Sequence, residues 1–352
     1  MHLAKLKLTN FRNHKTFTAE FIGDITVIVG PNAAGKTNIL EAIHYLATTK
    51  SFKAKYDRDI IKHTQDFARI EGRATIEEDD TKDLELYIAK NPNFDNASIK
   101  KAKINKVPKA LQKFAGTFNS VLFSPEDVEI LTGSPQARRK FLDMLLFQIS
   151  TPYKKKHAEY VLAVKNRNKI LEKIREFGRG WDELGFWNTK VVQNGLFIQE
   201  ERDKLFEYLK ISINKYGKEL NDEKTNITIN YLKSPISFDR LAQYKDREVA
   251  SASTLVGPHR DDFEVSLNDF DIAEFGSRGQ QRAAILALKF SELDYFVATA
   301  KTRPVLLLDD VFSELDDKHE QALQEIIGLQ QTIITTTEKA KIKDQHFQII
   351  EI

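Results

Sequence analysis

The segment Gly30-Pro31-Asn32-Ala33-Ala34-Gly35-Lys36-Thr37 constrains this chain more than any other stretch, because it fits the pattern G-x-x-x-x-G-K-[ST] and has the flanks that pattern needs. The apolar run at residues 25–29 reads as a buried strand, and Ile39, Leu40, Ile43, Leu46 and Ala47 recur as on one helical face. Strand, loop and helix in that order aim successive backbone N–H groups and a helix N-terminus at an anion, here the β- and γ-phosphates of a nucleotide. Lys36 adds a point charge, and the Thr37 hydroxyl is a Mg²⁺ ligand. Gly30 and Gly35 let the backbone approach closely.

A second half of such a site is present far along the chain. Val305-Leu306-Leu307-Leu308 ends in Asp309-Asp310, the pattern of a central parallel strand delivering a carboxylate to the metal held by Thr37. Asp309 is the metal-sphere candidate, acting through a water, and Asp310 is placed to orient or deprotonate an attacking water. Ser313-Glu314-Leu315-Asp316 follows, and Ile333-Ile334-Thr335-Thr336-Thr337 reads as one more buried strand. Between the halves, Ser277-Arg278-Gly279-Gln280 opens an Ala- and Leu-rich helix and presents a hydroxyl, a bare N–H and a positive dipole end. One nucleotide already has its loop. The economical role for this second anion site is to close on the γ-phosphate held by another subunit.

Composition bounds the rest. The 352 residues are 41% hydrophobic and 30% charged with a formal net charge of +2, so nucleic-acid binding has to be argued from local clusters. There is no cysteine, which excludes disulfides and Cys-based zinc sites and suits a reducing cytosol. No apolar run approaches the ~20 residues of a membrane span, so a cytoplasmic protein is expected.

Along the chain, alternation at Leu6/Leu8 and Phe17/Ala19/Phe21 predicts two strands flanking a turn at residues 10–14. A basic connector follows the phosphate-loop helix at residues 50–58. Period-two patterning returns over residues 68–107, with turns at Glu78-Asp79-Asp80 and Asn91-Pro92-Asn93, and predicts an antiparallel layer. Residues 125–250 are mainly helical in period, interrupted by a strand near 226–231. The expected division is a discontinuous nucleotide-binding head, residues 1–124 and 251–352, and a helical insert, residues 125–250.

This combination of phosphate loop, Ser-x-Gly-Gln segment and Asp309-Asp310 strand resembles the ATPase heads of the ABC superfamily. Within it the chain most resembles the RecF family of bacterial recombination-repair proteins, through residues 8–13, 30–38, 123–127, 138–143, Gly257-Pro258-His259-Arg260-Asp261-Asp262, 279–282 and 307–316. The resemblance implies an α/β fold, an ABC-type P-loop ATPase head with a mixed sheet plus an antiparallel β layer and an inserted helical lobe. It implies ATP at residues 30–38, Asn38 included, with Arg12 as a further phosphate contact, Mg²⁺ at Thr37 and Asp309, and Ser277, Gly279 and Gln280 acting in trans. It also implies an ATP-dependent homodimer that clamps DNA at single-strand gaps and, with RecR and RecO, promotes loading of RecA.

Two departures from the superfamily matter. Most members carry Glu where Asp310 stands, and the shorter acid predicts slow turnover suited to a timed switch. The switch histidine is replaced by threonines, and Thr335 and Thr336 are both candidates to sense the γ-phosphate.

Other classes fit less well. Long coiled-coil heads need heptads that the insert lacks, a transporter subunit would have no such insert, and a small-molecule P-loop kinase would not need the Ser277 segment. Basic runs at Lys100, Lys101, Lys103, Lys106 and Lys109, at Arg138-Arg139-Lys140, at Lys154-Lys155-Lys156 and from Lys165 to Arg175 suit DNA phosphates or solvated faces alike.

Overall fold

The apolar run Ile25–Val29 forms a strand with every residue buried. In the computed structural model, which describes residues 1–77, 80–94, 97–221, 223–313, 315–337 and 347–352, it lies between Gln348–Glu351 and Thr332–Thr336 in a five-stranded sheet completed by Val305–Asp309 and Ser120–Phe123. Every pairing in that sheet is parallel, as suits a sheet in which four of the five strands are buried throughout. The helix Lys36–Thr48 is buried on almost all sides. A helix so enclosed needs partners on two faces, and it touches both this sheet and a second, antiparallel one.

The antiparallel sheet has six strands in the order His14–Glu20, His2–Phe11, Phe67–Glu77, Asp80–Lys90, Ser98–Ile104 and Val107–Lys109. Alternation explains its two faces. Leu6, Leu8, Ile70, Leu84, Leu86 and Ala102 join the core shared with the helix, whereas the other face carries cross-strand ion pairs such as Lys5–Glu20, Lys7–Glu71 and Arg73–Asp83. The mixed sheet and β layer expected from sequence thus resolve into one parallel and one antiparallel sheet on either side of the phosphate-loop helix. Glu78 and Asp79 of the predicted first turn, and Glu314 of the loop after the Asp309 strand, lie outside the described residues.

Two compact units emerge, residues 1–127 with 292–352, and residues 128–291. The second is built on the helices Thr151–Phe177 and Trp181–Leu220, which pack along one another, and on a three-stranded antiparallel sheet of Phe270–Asp271, Asp262–Leu267 and Ile227–Leu232. The sequence boundary at residue 250 therefore differs from the observed one. Asp262–Leu267 pairs residue by residue with Ile227–Leu232, which draws residues 251–291 into the helical unit. Among the described residues no helix is long and apolar enough to cross a membrane.

Candidate nucleotide site

The loop of residues 30–37 leaves the buried strand and enters the helix Lys36–Thr48 through two left-handed residues, Ala33 (φ 67°) and Gly35 (φ 106°). Only glycine takes the second conformation without strain. Gly30 is needed for a different reason, because a Cβ there would lie 2.6 Å from the carbonyl oxygen of Ile352. The first-turn N–H groups of the helix have no partner within it, so they remain available to an anion. Lys36 is buried, and its Nζ donates to the carbonyls of Gly30 (2.6 Å) and Pro31 (3.0 Å). Its ammonium is thereby folded over the loop. Pro31, Asn32 and Ala33 are exposed, and Ala34, Thr37 and Asn38 are half-buried.

The parallel sheet brings Asp309 to this loop across 272 residues of sequence. Thr37 Oγ1 donates to Asp309 Oδ1 at 2.8 Å, and Thr335 Oγ1, from the adjacent strand, donates to the same oxygen at 2.8 Å. A hydroxyl and a fixed carboxylate side by side are hard oxygen donors of the kind Mg²⁺ prefers. Among the described residues no group of three or more His, Cys, Asp or Glu could hold a metal, so a cation here would need phosphate and water oxygens as well. These residues fit Mg²⁺ brought with a nucleotide. Asp310 turns into the left-handed region (φ 51°), and its N–H donates to Thr335 Oγ1 (3.1 Å) and the Thr335 carbonyl (3.2 Å). Of the two threonines left open by sequence, Thr335 is bonded to both acids of the pair.

Arg12 is held close by but is already engaged. Its Nε and Nη2 fork onto the carboxylate of the fully buried Glu41 at 2.7 Å each, and Nη1 donates to the Asp59 carbonyl at 2.9 Å. Ser51 Oγ adds a hydrogen bond to Glu41. Burying Glu41 is tolerable because these charge-assisted bonds satisfy it. Two neighbours that sequence reading passed over, Asn13 and His14, contact the phosphate loop itself. Sequence marked them only by the turn at residues 10–14 and, for Asn13, by the segment 8–13.

In the second unit, Ser277 caps the helix Arg278–Ala300. Ser277 Oγ accepts from the Gln280 N–H (3.3 Å) while Gln280 Oε1 accepts from the Ser277 N–H (2.9 Å), a reciprocal capping box. Ser277, Gly279 and Gln280 are all exposed. A Cβ on Gly279 would meet nothing within 4 Å, so no packing within the chain demands glycine there.

Several residues of the basic runs are spoken for. Arg138 forks onto Asp262 at 2.5 and 2.9 Å, and Arg139 donates to the Asp261 carbonyl at 2.8 Å. The buried Arg167 pairs with the buried Glu248 at 2.5 Å. Lys100 pairs with Asp57 and Lys103 with Glu85. In the motif at residues 257–262, all but the exposed Arg260 are buried or half-buried. Asp261 is fully buried and bonded by Arg202, Gln199 and Tyr231, while His259 Nδ1 accepts from Tyr160 and Nε2 donates to the Thr254 carbonyl. Lys101, Lys109, Lys155, Lys165 and Lys169 are exposed, while Lys106, also exposed, lies within electrostatic reach of Asp83.

The sequence matches the family described as RecF/RecN/SMC N terminal domain over residues 2–351. It is 37% identical over 342 residues to the DNA replication and repair protein RecF of Lachnoclostridium phytofermentans, covering 96% of this chain and 93% of that one. To the RecF protein of Bacillus thuringiensis it is 34% identical over 357 residues, covering 96% and 92%. A solved structure of the recombination mediator protein RecF-ATP in the RecFOR pathway matches with TM-score 0.90 at 32% identity, over 99% of this chain and 95% of that chain. An Smc head bound to the C-winged helix domain of ScpA shares the fold, with TM-score 0.53 at 16% identity over 96% and 90%. Matched nearly from end to end by that family and by relatives at 34–37% identity, the chain belongs to the RecF branch of the RecF/RecN/SMC family.

Proposed function

We propose that this protein is an ATP-dependent DNA-binding switch of replication and recombinational repair. Two copies sandwich two ATP molecules, each held by Lys36, Thr37 and Asp309 of one chain and by Ser277, Gly279 and Gln280 of the other. The observation that carries the reading is the bond between the Thr37 hydroxyl and the Asp309 carboxylate at the mouth of the phosphate loop. The exposed Ser277 helix start, with its open Gly279, supports closure by a second copy. The names of the relatives, DNA replication and repair protein and recombination mediator in the RecFOR pathway, support the cellular role.

Mg²⁺ at Thr37 and Asp309 would neutralise charge on the phosphates. The residues of the chain do the rest. The loop N–H groups and Lys36 bind and orient the triphosphate, and Asp310 aims a water at the γ-phosphorus. Slow hydrolysis then times release from DNA at single-strand gaps, with RecR and RecO as partners and RecA as the protein whose loading follows. The protein acts in the cytoplasm.

The test is sedimentation of the full chain with ATP, with ADP and with gapped duplex. Wild type is expected to double in mass with ATP. Lys36→Met should abolish nucleotide binding altogether, whereas Ser277→Arg should bind ATP normally and remain monomeric. A Ser277→Arg protein that dimerises with ATP like wild type refutes the arrangement in trans. Hydrolysis unaffected by DNA removes the DNA-switch role.

A further inference from the structure

The phosphate loop is gripped from its outer side by a turn of the antiparallel sheet. Asn13 Nδ2 donates to the Ala34 carbonyl at 3.0 Å, while Asn13 Oδ1 accepts from Asn38 Nδ2 at 2.8 Å, so both ends of the amide are used and its orientation is fixed. His14 Nε2 lies 3.1 Å from the Gly35 carbonyl. That oxygen can only accept, so Nε2 carries the hydrogen. Burial holds the His14 ring below its ordinary pKa, which favours its neutral form.

The turn is anchored on both flanks. Arg12 N–H donates to the Ile60 carbonyl at 2.8 Å, the Arg12 guanidinium forks onto Glu41 of the phosphate-loop helix, and Lys62 Nζ donates to the Asn13 carbonyl at 2.7 Å. Arg12 itself adopts φ 53°, an uncommon conformation for a residue with a side chain. The fit to the loop is close. A Cβ on Gly35 would lie 2.5 Å from His14 Nε2 and 2.6 Å from the Asn13 amide atoms.

We propose that Asn13 and His14 are positioning residues for the triphosphate, holding the carbonyl side of the phosphate loop so that its N–H groups face the ligand. The reason is the planar trans peptide, in which C=O and the following N–H point in opposite directions. Fixing the Ala34 carbonyl outward aims the Gly35 N–H inward, and fixing the Gly35 carbonyl aims the Lys36 N–H. The loop is then set before nucleotide arrives, and binding spends less free energy on ordering it. This rests on the nucleotide reading of the loop.

The experiment is ATP affinity by calorimetry on the full chain, beside thermal unfolding, for wild type, Asn13→Ala, Asn13→Asp, His14→Phe and His14→Gln. Asn13 is exposed, and phenylalanine keeps the ring that packs 5.4 Å from Phe17, so neither Asn13→Ala nor His14→Phe should move the unfolding midpoint much. Each should weaken ATP about five- to tenfold, the equivalent of one lost hydrogen bond. Asn13→Asp, isosteric but with no donor for Ala34, should weaken it at least as much. His14→Gln restores an N–H donor and should recover most of the affinity, a rescue that a purely structural ring would not give. Asn13→Ala and His14→Phe both binding ATP within twofold of wild type would overturn the proposal. Wild type failing to bind ATP strikes the nucleotide reading instead, a result distinguishable from any pattern among the variants.

Discussion

Asp309 is a buried carboxylate whose Oδ1 accepts from two threonines, one on the phosphate-loop helix and one on the neighbouring strand. The two bonds do different work. Thr37 is also a ligand candidate and must turn its oxygen toward a metal when one arrives, whereas Thr335, fully buried, is no such candidate; its hydroxyl holds the Asp309 carboxylate and accepts from the Asp310 N–H. Removing the Thr335 hydroxyl therefore separates orientation from ligation. Thr335→Val keeps the strand shape and leaves Asp309 Oδ1 with the Thr37 bond alone. A hydrogen bond to a charged group is worth about 1.5–3 kcal/mol, so Mg²⁺-dependent ATP hydrolysis should fall by roughly tenfold to a hundredfold. ATP binding in EDTA should change little. Single-turnover hydrolysis measured with and without Mg²⁺ checks this, and unchanged rates would mean that Thr335 does not position the acid.

At the scale of elements, the helical unit buries charged and titratable groups among its apolar contacts, and this makes it sensitive to acid. His259 sits between Tyr160 and the Thr254 carbonyl, and burial first, with Arg260 and Arg139 adding repulsion, lowers its pKa from 6.5 to about 4. The folded protein thus keeps the ring neutral over a range in which the unfolded chain takes up a proton. Stability from this group is fully present above about pH 6.5 and is lost as pH falls toward 4, by up to about 3 kcal/mol. Urea unfolding between pH 4 and 7 should show that slope, and His259→Gln should flatten it. A variant with the wild-type slope would exclude His259 as its source. This network also marks the limit of what sequence could give. The phosphate loop, the strand ending at Asp309 and the two-residue alternation of the β layer were legible because each is a local pattern whose period or spacing carries its own meaning. Arg138, Arg139 and Arg167 read as candidates for DNA phosphates, yet their partners Asp262, Asp261 and Glu248 lie 81 to 124 residues away. No local pattern reports such a pairing. The contacts of Asn13 and His14 were hidden for the same reason, since two polar residues in a turn do not show what they grip until the loop is folded against them.

For the molecule as a whole, the two units carry opposite halves of one proposed reaction: the first holds the phosphate loop with Asp309 and Asp310, and the second presents Ser277 at an exposed helix start. In that proposal a second copy completes the site, and hydrolysis sets the lifetime of the closed dimer. Asp310 is where that lifetime can be changed with least disturbance. Its left-handed backbone is fixed by the N–H bonds to Thr335, and asparagine tolerates the same conformation as well as aspartate does. Asp310→Asn should therefore keep the strand end, the ATP affinity and the ability to dimerise, while removing the carboxylate that would orient or deprotonate water. Loss of a general base typically costs 10²–10⁴ in rate. With ATP and Mg²⁺, the variant should remain on gapped duplex long after wild type has dissociated, as followed by surface plasmon resonance with a chase of free DNA. The retention should vanish with ADP, because the γ-phosphate that the second copy grips is then missing. Dissociation of Asp310→Asn at the wild-type rate in ATP would take Asp310 out of the hydrolytic step and leave the lifetime of the dimer to another group.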